Sequence, residues 1–369
     1  MSVLSLPSSI YSGLMSWRSK AYGRGLLQRW RPPSPCISVG NIRWGGTGKT
    51  PVCHWLLNWA SQSGMNCVVL TRGYRARPPA LPFLVRPDSS AAEAGDEPLL
   101  LARANLDAHI VIDPKRIRSG NWAWQQWRPD LFLLDDGFQH LPVIRDINLA
   151  LLLPQDLDRD WNRVVPGGPW REGAKALARA DAFLIKLVGL DEVPTALRDL
   201  IATRLSPFDK PIFFFAPSPG GLTNLQTAEQ VDRLPEKHGS SYMLVSGVAN
   251  PALVDHTAST LLGAAPRRHD AFADHHAFSR REIEDIVRKA GSAGVGHVVC
   301  TAKDAVKIRE LLGPDTPVQW WSMDMTVRFV PESEKSPCFV KWLEQRLKTA
   351  RQYLSGNMNF NLTSRIPNQ

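Results

Sequence analysis

Cys36-Ile-Ser-Val-Gly-Asn-Ile-Arg-Trp-Gly-Gly-Thr-Gly-Lys-Thr-Pro51 passes from a short apolar run through a glycine-rich turn. The positions that follow, Val52, Trp55, Leu56 and Trp59, are apolar at helical spacing, with Gly64 near their end. A strand, a glycine loop and a helix in that order are the setting of a phosphate-binding loop. Gly45, Gly46 and Gly48, with Thr47 among them, let backbone N–H groups approach phosphate oxygens, and the helix N-terminus adds partial positive charge. Lys49 reaches the β and γ oxygens and Thr50 offers a hydroxyl to Mg²⁺, so a nucleoside triphosphate is the expected ligand. The full pattern GxxxxGK[ST] places glycine at position 43, where this chain has Arg43, so the loop is a variant.

Around this loop, apolar runs at 36–39, 67–70, 109–112, 131–134, 147–153 and 182–187 alternate with helical patterns. Buried strands interleaved with helices predict an α/β fold, a P-loop NTPase-like doubly wound parallel sheet. Asp130-Leu-Phe-Leu-Leu-Asp-Asp136 ends in paired carboxylates, the arrangement that holds Mg²⁺ opposite the loop threonine. Asp135 directly follows the apolar run and is the first choice of ligand; Asp136 is left to position water, nucleotide or metal. After a turn-rich stretch at 206–210 the alternation restarts at 212–215, 242–245, 297–300 and 318–321, which predicts a second, smaller α/β domain. Its clearest helix, 279–289, opens with a Ser279/Glu282 capping box and stops at Gly291. The expected division is a basic amphipathic helix in 1–31, a P-loop core in 32–208 and a smaller domain in 209–330. A last helix at 339–354 and a frayed end fill 331–369.

At 369 residues, 43% apolar and 21% charged, the chain has the composition of a two-domain globular protein, not of a disordered or collagen-like one. Its five scattered cysteines form no CxxC pair, which excludes a disulfide framework or zinc ribbon and fits a reducing cytoplasm. The net charge of +9 is uneven: residues 1–87 carry eleven Lys or Arg and no carboxylate, and the rest of the chain is slightly acidic. That asymmetry points to nucleic acid, an anionic membrane surface or phosphorylated ligands. No nucleic-acid-binding pattern is present, which sets the first aside. In residues 8–24, Ile10, Tyr11, Leu14 and Trp17 share a helical face, followed by Arg18, Lys20 and Arg24. Such a helix lies on a membrane or docks on a core, and the basic excess favours the membrane. No run approaches the ~20 apolar residues of a spanning helix, so the chain is expected to stay on the side where it is made.

Read together, residues 39–51, Thr71-Arg-Gly-Tyr74, Gly95-Asp-Glu-Pro98 and Asp135-Asp-Gly-Phe-Gln-His140 closely resemble the tetraacyldisaccharide 4′-kinase family of the lipid A pathway, in order and spacing. Gly168-Pro-Trp-Arg-Glu172, Asp274-His-His-Ala-Phe278 and Thr301-Ala-Lys-Asp-Ala-Val-Lys307 extend the resemblance over roughly residues 8–330. Departures stand at Ala302, Gly173 and Leu141, where Glu, Pro and a polar or aromatic residue are expected; they concern surrounding detail and not the reaction.

The resemblance implies transfer of the γ-phosphate of ATP, with Mg²⁺, to the 4′-hydroxyl of an acylated glucosamine disaccharide 1-phosphate. It places the enzyme at the cytoplasmic face of a Gram-negative inner membrane, peripheral to it, with no obligate protein partner. It also implies Asp96 as catalytic base with His275 paired to it. Asp96 and Glu97 open a helical run at the sheet edge where ligands bind, although an Asp there is equally suited to capping the helix. A histidine beside a carboxylate orients it or relays its proton. Arg72, Arg116, Arg118 and Arg171 are candidates for holding phosphates through the guanidinium fork, Arg171 with the nucleotide. Glu172 joins Thr50 and Asp135 as a candidate Mg²⁺ ligand, and Tyr74 and Gln139 are expected to shape the pocket.

Three other classes are weighed against this one. A partition or metallochaperone type of P-loop ATPase carries lysine before Gly-Gly, where this chain has Trp44. A GTPase needs an NKxD-type motif, which Thr301-Ala-Lys-Asp304 misses by one position. The cluster His269, Asp270, Asp274, His275 and His276 suits a metal phosphoesterase, but no second cluster completes a two-metal site.

Overall fold

A computed structural model describes residues 5–187, 192–235, 241–313, 315–331 and 337–363. The apolar runs become strands. The first half supplies β1 (Cys36–Asn41), β2 (Cys67–Thr71), β3 (Phe83–Val85), β4 (His109–Ile112), β5 (Leu131–Asp135), β6 (Ile147–Leu152) and β7 (Ala182–Lys186). The second supplies β8 (Ile212–Asn224), β9 (Gln230–Val231), β10 (Tyr242–Ser246), β11 (Arg268–Ala271), β12 (His297–Thr301) and β13 (Gln319–Val330). Among the described residues they form one sheet in the order β3-β4-β2-β5-β1-β6-β7-β8-β13-β12-β10-β11, with β9 paired to β8. Neighbours are parallel except β3 with β4, β8 with β13 and β8 with β9. Every residue of β1, β2, β5 and β6 is buried, because helices cover both faces of the sheet.

The chain leaves β1 for β2 on one side and later returns to β6 on the other. The carboxyl end of β1 is therefore a switch point, the place where open α/β sheets bind ligands. At that end Gly40 backs directly on Phe138, leaving no room for a Cβ, and the loop after β5 is thereby drawn against the loop after β1.

The two halves meet through a ribbon longer than the sequence suggests. β8 was expected over 212–215 and runs to Asn224; β13 was expected over 318–321 and runs to Val330. They pair antiparallel from Trp321 opposite Asn224 to Val330 opposite Phe214, with an irregularity between Met323 and Met325. Pro217, Pro219, Gly220 and Gly221 read as a turn in sequence, but β7 pairs with β8 only as far as Phe215. Beyond that point Pro217 and Pro219 lie where a missing N–H breaks no ladder with β7. β11 escaped the periodicity because Arg-His-Asp-Ala is polar, as suits the outer edge of a sheet.

Two helices complete the packing. Phe339–Thr363, expected to end at Leu354, buries Phe339, Leu343 and Leu347 in the cluster shared by the phosphate-loop helix and the sheet. Of the expected frayed end, residues 364–369 lie outside the described residues. The N-terminal helix Ser5–Gly23 both docks and stays exposed. Tyr11 packs on the core, Ser8 Oγ accepts the Gly167 N–H at 3.0 Å, and Arg18 donates to the Gln139 carbonyl at 3.2 Å. Its other side presents Leu6, Ile10, Leu14 and Trp17, each 55–69% exposed. No helix among the described residues is long and apolar enough to cross a membrane.

Candidate active site

The loop 45–50 turns through positive φ at Gly45 and Gly48 and runs into the helix Lys49–Gln62. Gly48 is its N-cap at φ 93°, and a Cβ there would also press on the Phe215 ring at 3.2 Å. Thr47 is buried; its hydroxyl accepts from Asn41 Nδ2 at 2.9 Å, which ties the loop to the end of β1. Gly45 and Gly46 are exposed with open space where their Cβ atoms would sit, so the cradle is free to receive phosphates. Arg43, the departure from the loop pattern, turns away to Asp156 at 2.9 Å and Asp160 at 3.4 Å. Trp44 is exposed and carries the Arg171 guanidinium over its ring at 4.6 Å. A switch ATPase would hold a lysine there.

Lys49, Asp136, Arg171 and Gln139 form one chain of contacts. Lys49 Nζ lies 3.5 Å from Asp136 Oδ1, Arg171 Nη1 lies 2.9 Å from Asp136 Oδ2 and donates to Gln139 Oε1 at 3.3 Å, and Gln139 Nε2 donates to the Asn41 carbonyl at 2.9 Å. Burial alone would raise the Asp136 carboxyl, but Lys49 and Arg171, with Arg116 behind them, outweigh it and hold it below the usual carboxylate range.

Asp135 has the opposite fate. It is buried, and among the described residues its carboxylate oxygens accept from the Thr71 hydroxyl at 3.0 Å and the Cys53 thiol at 3.8 Å and from no other side chain. Burial, then the Glu97 and Asp136 carboxylates, push it up to about 6, against the pull of Lys49 and Thr71. A buried carboxylate with neutral donors only is complemented by a cation, so Asp135 fits Mg²⁺. Among the described residues no three His, Cys, Asp or Glu side chains converge into a ready cage. Magnesium is held by one or two protein groups, phosphates and water, and needs no such cage. Thr50 is half-buried in the first turn of the loop helix. Glu172 is buried and engaged by Arg179 at 2.7 Å.

The remaining arginines divide. Arg116 is buried behind Asp135, whose backbone carbonyl accepts its Nη2 at 3.4 Å. Arg72 is exposed at the end of β2. Arg118 spends its fork on the buried Asp113, at 2.6 and 2.9 Å, and is not gathered with the others.

Across the cleft the helix Asp96–Ala104 has Gly95 as N-cap and no side-chain cap, so Asp96 does not cap it. Asp96 Oδ2 instead meets His275 Nδ1 at 3.3 Å, and the exposed Tyr74 ring stands edge-on to the imidazole at 6.4 Å. The expected histidine–aspartate cluster disperses. His269 bonds Ser246 and Asp255, Asp270 pairs with Arg268 and Lys289, and His276 pairs with Glu282, so among the described residues they do not gather into a phosphoesterase centre.

Three lysines and two polar groups were missed in sequence. Lys303 and Lys307 project from one face of the helix Ala302–Ile308 toward Glu97, His275 and Asp96. Both stand in the 301–307 stretch that carries the resemblance, and their four-residue spacing was the further signal. Lys186, at the end of β7, reaches within 3.7 Å of where a Gly48 Cβ would sit; burial lowers its pKa, and no carboxylate among the described residues pairs with it. Asn41 and Thr71 lie within stretches that carry the resemblance but were given no role of their own.

Phosphoryl transfer asks for cradled phosphates, a metal-holding carboxylate and a base near the acceptor, and the sheet brings candidates for each to one edge; the class is a P-loop kinase. The particular family follows from comparison. The sequence pattern of the tetraacyldisaccharide-1-P 4′-kinase family matches residues 1–348, and the chain belongs to that family. It is similar to the tetraacyldisaccharide 4′-kinase of Nitratidesulfovibrio vulgaris, 43% identical over 339 residues and 92% of each chain. That of Oleidesulfovibrio alaskensis is 45% identical over 344 residues, 91% of this chain and 92% of the relative. The "apo" form of LpxK from Aquifex aeolicus, solved in complex with ATP, matches with a TM-score of 0.70 at 26% identity, over 94% of this chain and 98% of that one.

Proposed function

We propose that this kinase moves the γ-phosphate of ATP to the 4′-hydroxyl of a tetraacylated disaccharide 1-phosphate, with Asp96 as the base. The observation that carries the assignment is the Asp96–His275 contact at 3.3 Å, with Asp96 next in sequence to Glu97, whose carboxylate acts on the buried Asp135. Backbone N–H groups of 45–50 with Lys49 and Arg171 hold the phosphates. Thr50 and Asp135, with Glu172 once released from Arg179, are the residues that would hold Mg²⁺, which when bound neutralises charge on the transferred group. The acceptor oxygen bonds to the γ-phosphorus as the bond to the β–γ bridging oxygen breaks; those electrons stay on ADP, and the hydroxyl proton passes to Asp96. Arg72, exposed at the end of β2, is offered to the substrate's own phosphate, Arg116 backs Asp135 from within the fold, Tyr74 and Gln139 border the acceptor sugar, and Arg118 braces Asp113 at the end of β4.

The exposed stripe of Leu6, Ile10, Leu14 and Trp17 supports docking on an anionic membrane, at the cytoplasmic face of the inner membrane, with the exposed Lys20, Arg24 and Arg29 available to the lipid headgroups. The same helix contacts Gln139 and Gly167, so an acylated substrate entering from the membrane arrives beside the site.

The test is direct. Purified protein with ATP, Mg²⁺ and the disaccharide 1-phosphate in detergent should yield ADP and the 1,4′-bisphosphorylated lipid in equal amounts. A folded enzyme that makes no such lipid would sink the reading.

A further inference from the structure

A lysine ammonium has three donors and no acceptor, so whatever touches it must accept. Lys303 Nζ lies 3.0 Å from His275 Nε2 and 3.7 Å from Glu97 Oε1. On the far side of the ring, Nδ1 faces Asp96 Oδ2 at 3.3 Å. With Nε2 committed as acceptor, the imidazole is neutral and its single proton sits on Nδ1, directed at Asp96.

We propose that Lys303 is a positioning residue for phosphoryl transfer: it holds His275 in the Nδ1–H tautomer, which fixes Asp96 Oδ2 and leaves the other carboxylate oxygen to take the acceptor proton. The proposal rests on the reading of Asp96 as base.

The surroundings are built for this contact. The helix Ala302–Ile308 is capped by Thr301, whose Oγ1 accepts from Asp304 N and donates to Asp304 Oδ2 at 2.6 Å. Asp304 is buried and also takes the Gly247 N–H at 2.9 Å. The Gly247 carbonyl in turn accepts the His275 backbone N–H at 3.2 Å, at a residue whose φ of 61° lies in the left-handed region. One helical turn beyond Lys303, Lys307 donates to the His276 carbonyl at 2.8 Å and lies 3.4 Å from Asp304 and 3.7 Å from Asp96. The left-handed turn that presents the imidazole is thus held from both sides by the helix that carries Lys303. Glu97 supplies a second resting place for the ammonium, so the contact to Nε2 is not needed to satisfy its charge; it serves the ring.

The experiment uses the full chain with histidines selectively labelled with ¹⁵N and His275 assigned through His275→Gln. In the parent, His275 should show a protonated Nδ1 and an unprotonated, hydrogen-bonded Nε2. Lys303→Met should abolish that pattern, whereas Lys303→Arg, still donors only, should keep it. In the kinase assay Lys303→Met should lower kcat about 10- to 100-fold while the KM for ATP moves by less than about threefold. In an Asp96→Asn background it should cause no further loss. An unchanged ¹⁵N pattern in Lys303→Met overturns the proposal, as does an equal loss in both backgrounds, or a raised KM for ATP at constant kcat. Full turnover in Asp96→Asn would refute the base assignment alone, because the tautomer is read without turnover. Thermal unfolding of each variant separates these results from misfolding.

Discussion

Thr71 donates its hydroxyl to Asp135 at 3.0 Å, joining the ends of β2 and β5 around a carboxylate that has no cation in contact with it among the described residues. The carboxyl stands at about 6 against an ordinary 3.8. Its ionised form therefore burdens the fold: the cost is absent below pH 3.8, grows through 6 and amounts to about 3 kcal/mol at neutral pH. Asp135→Asn keeps an acceptor for Thr71 and removes the charge. The variant should unfold a few degrees higher than the parent in Mg²⁺-free buffer at pH 7.5 while losing at least about 100-fold in turnover. A lower melting temperature would mean that the charge is compensated in the protein itself.

Arg43 invites the opposite substitution, since glycine is the regular residue of the loop pattern there. Its guanidinium lies 2.9 Å from the fully buried Asp156, which also accepts from Trp170 Nε1 and Leu153 N. Removing one partner of a buried pair strands the other charge and typically costs about 3–5 kcal/mol. Arg43→Gly should thus destabilise by about that amount in urea unfolding without improving the KM for ATP. Adding Asp156→Asn should restore much of the loss, and a failure to restore it would assign Arg43 to the nucleotide instead.

What the sequence disclosed and what it hid have physical reasons. The phosphate loop, Asp135 and the buried strands announce themselves because each depends on residues within one short segment. The β8–β13 ribbon stayed hidden because its prolines and glycines carry turn chemistry, and only the end of β7 makes them tolerable. Arg118 looked like a phosphate ligand because Asp113, its partner, belongs to the preceding strand end. Asp96 and His275, separated by 179 residues, were paired through resemblance alone. The lysines around them lie within the 301–307 stretch that carries the resemblance, but spacing gives them no role, since a cation four residues from another usually marks a solvated helix face.

His140 gives the protein a pH dependence of known sign. Burial, then Arg116, Arg145, Arg18 and Arg72, push its imidazole from 6.5 down to about 3. The unfolded chain binds this proton first, so the stability is fully present above pH 6.5 and is lost as pH falls toward 3. At pH 5 the loss is about 2 kcal/mol from this group. Burial lowers His54 and His109 in the same direction, while Asp135 works the other way below pH 6. Comparison with a variant isolates His140. His140→Gln should lose about 2 kcal/mol less than the parent between pH 7 and pH 5 in urea titrations, and identical slopes would show that the ring takes up its proton as readily in the fold as in the unfolded chain.

Asp96 and Lys49 should fail differently. Asp96 contacts His275 and lies near Lys307, whereas Lys49 stands in the cradle beside Asp136. Asp96→Ala should lower kcat by about 100-fold or more with ATP binding kept within a few-fold, and Lys49→Ala should damage both. Nucleotide binding by calorimetry beside steady-state kinetics makes the distinction. Equal loss of ATP binding in Asp96→Ala would make that carboxylate a support for the loop and not the base.

The N-terminal helix needs a test that spares its docked face. Truncation at residue 31 would also remove Trp30, which packs against Phe132 and Gly120, and Arg31, 2.8 Å from Asp146. Such a deletion would confuse membrane binding with folding. Leu6, Ile10, Leu14 and Trp17 form an exposed stripe, and each contributes on the order of 1 kcal/mol when its apolar surface enters a bilayer interface. Replacing all four by serine should reduce sedimentation with anionic phospholipid vesicles at least about tenfold. The KM for ATP and the turnover of detergent-dispersed substrate should stay near parental values, because Ser8, Tyr11 and Arg18 still anchor the helix beside the site. Unchanged vesicle binding would move the membrane contact elsewhere, to the arginines of residues 72–86.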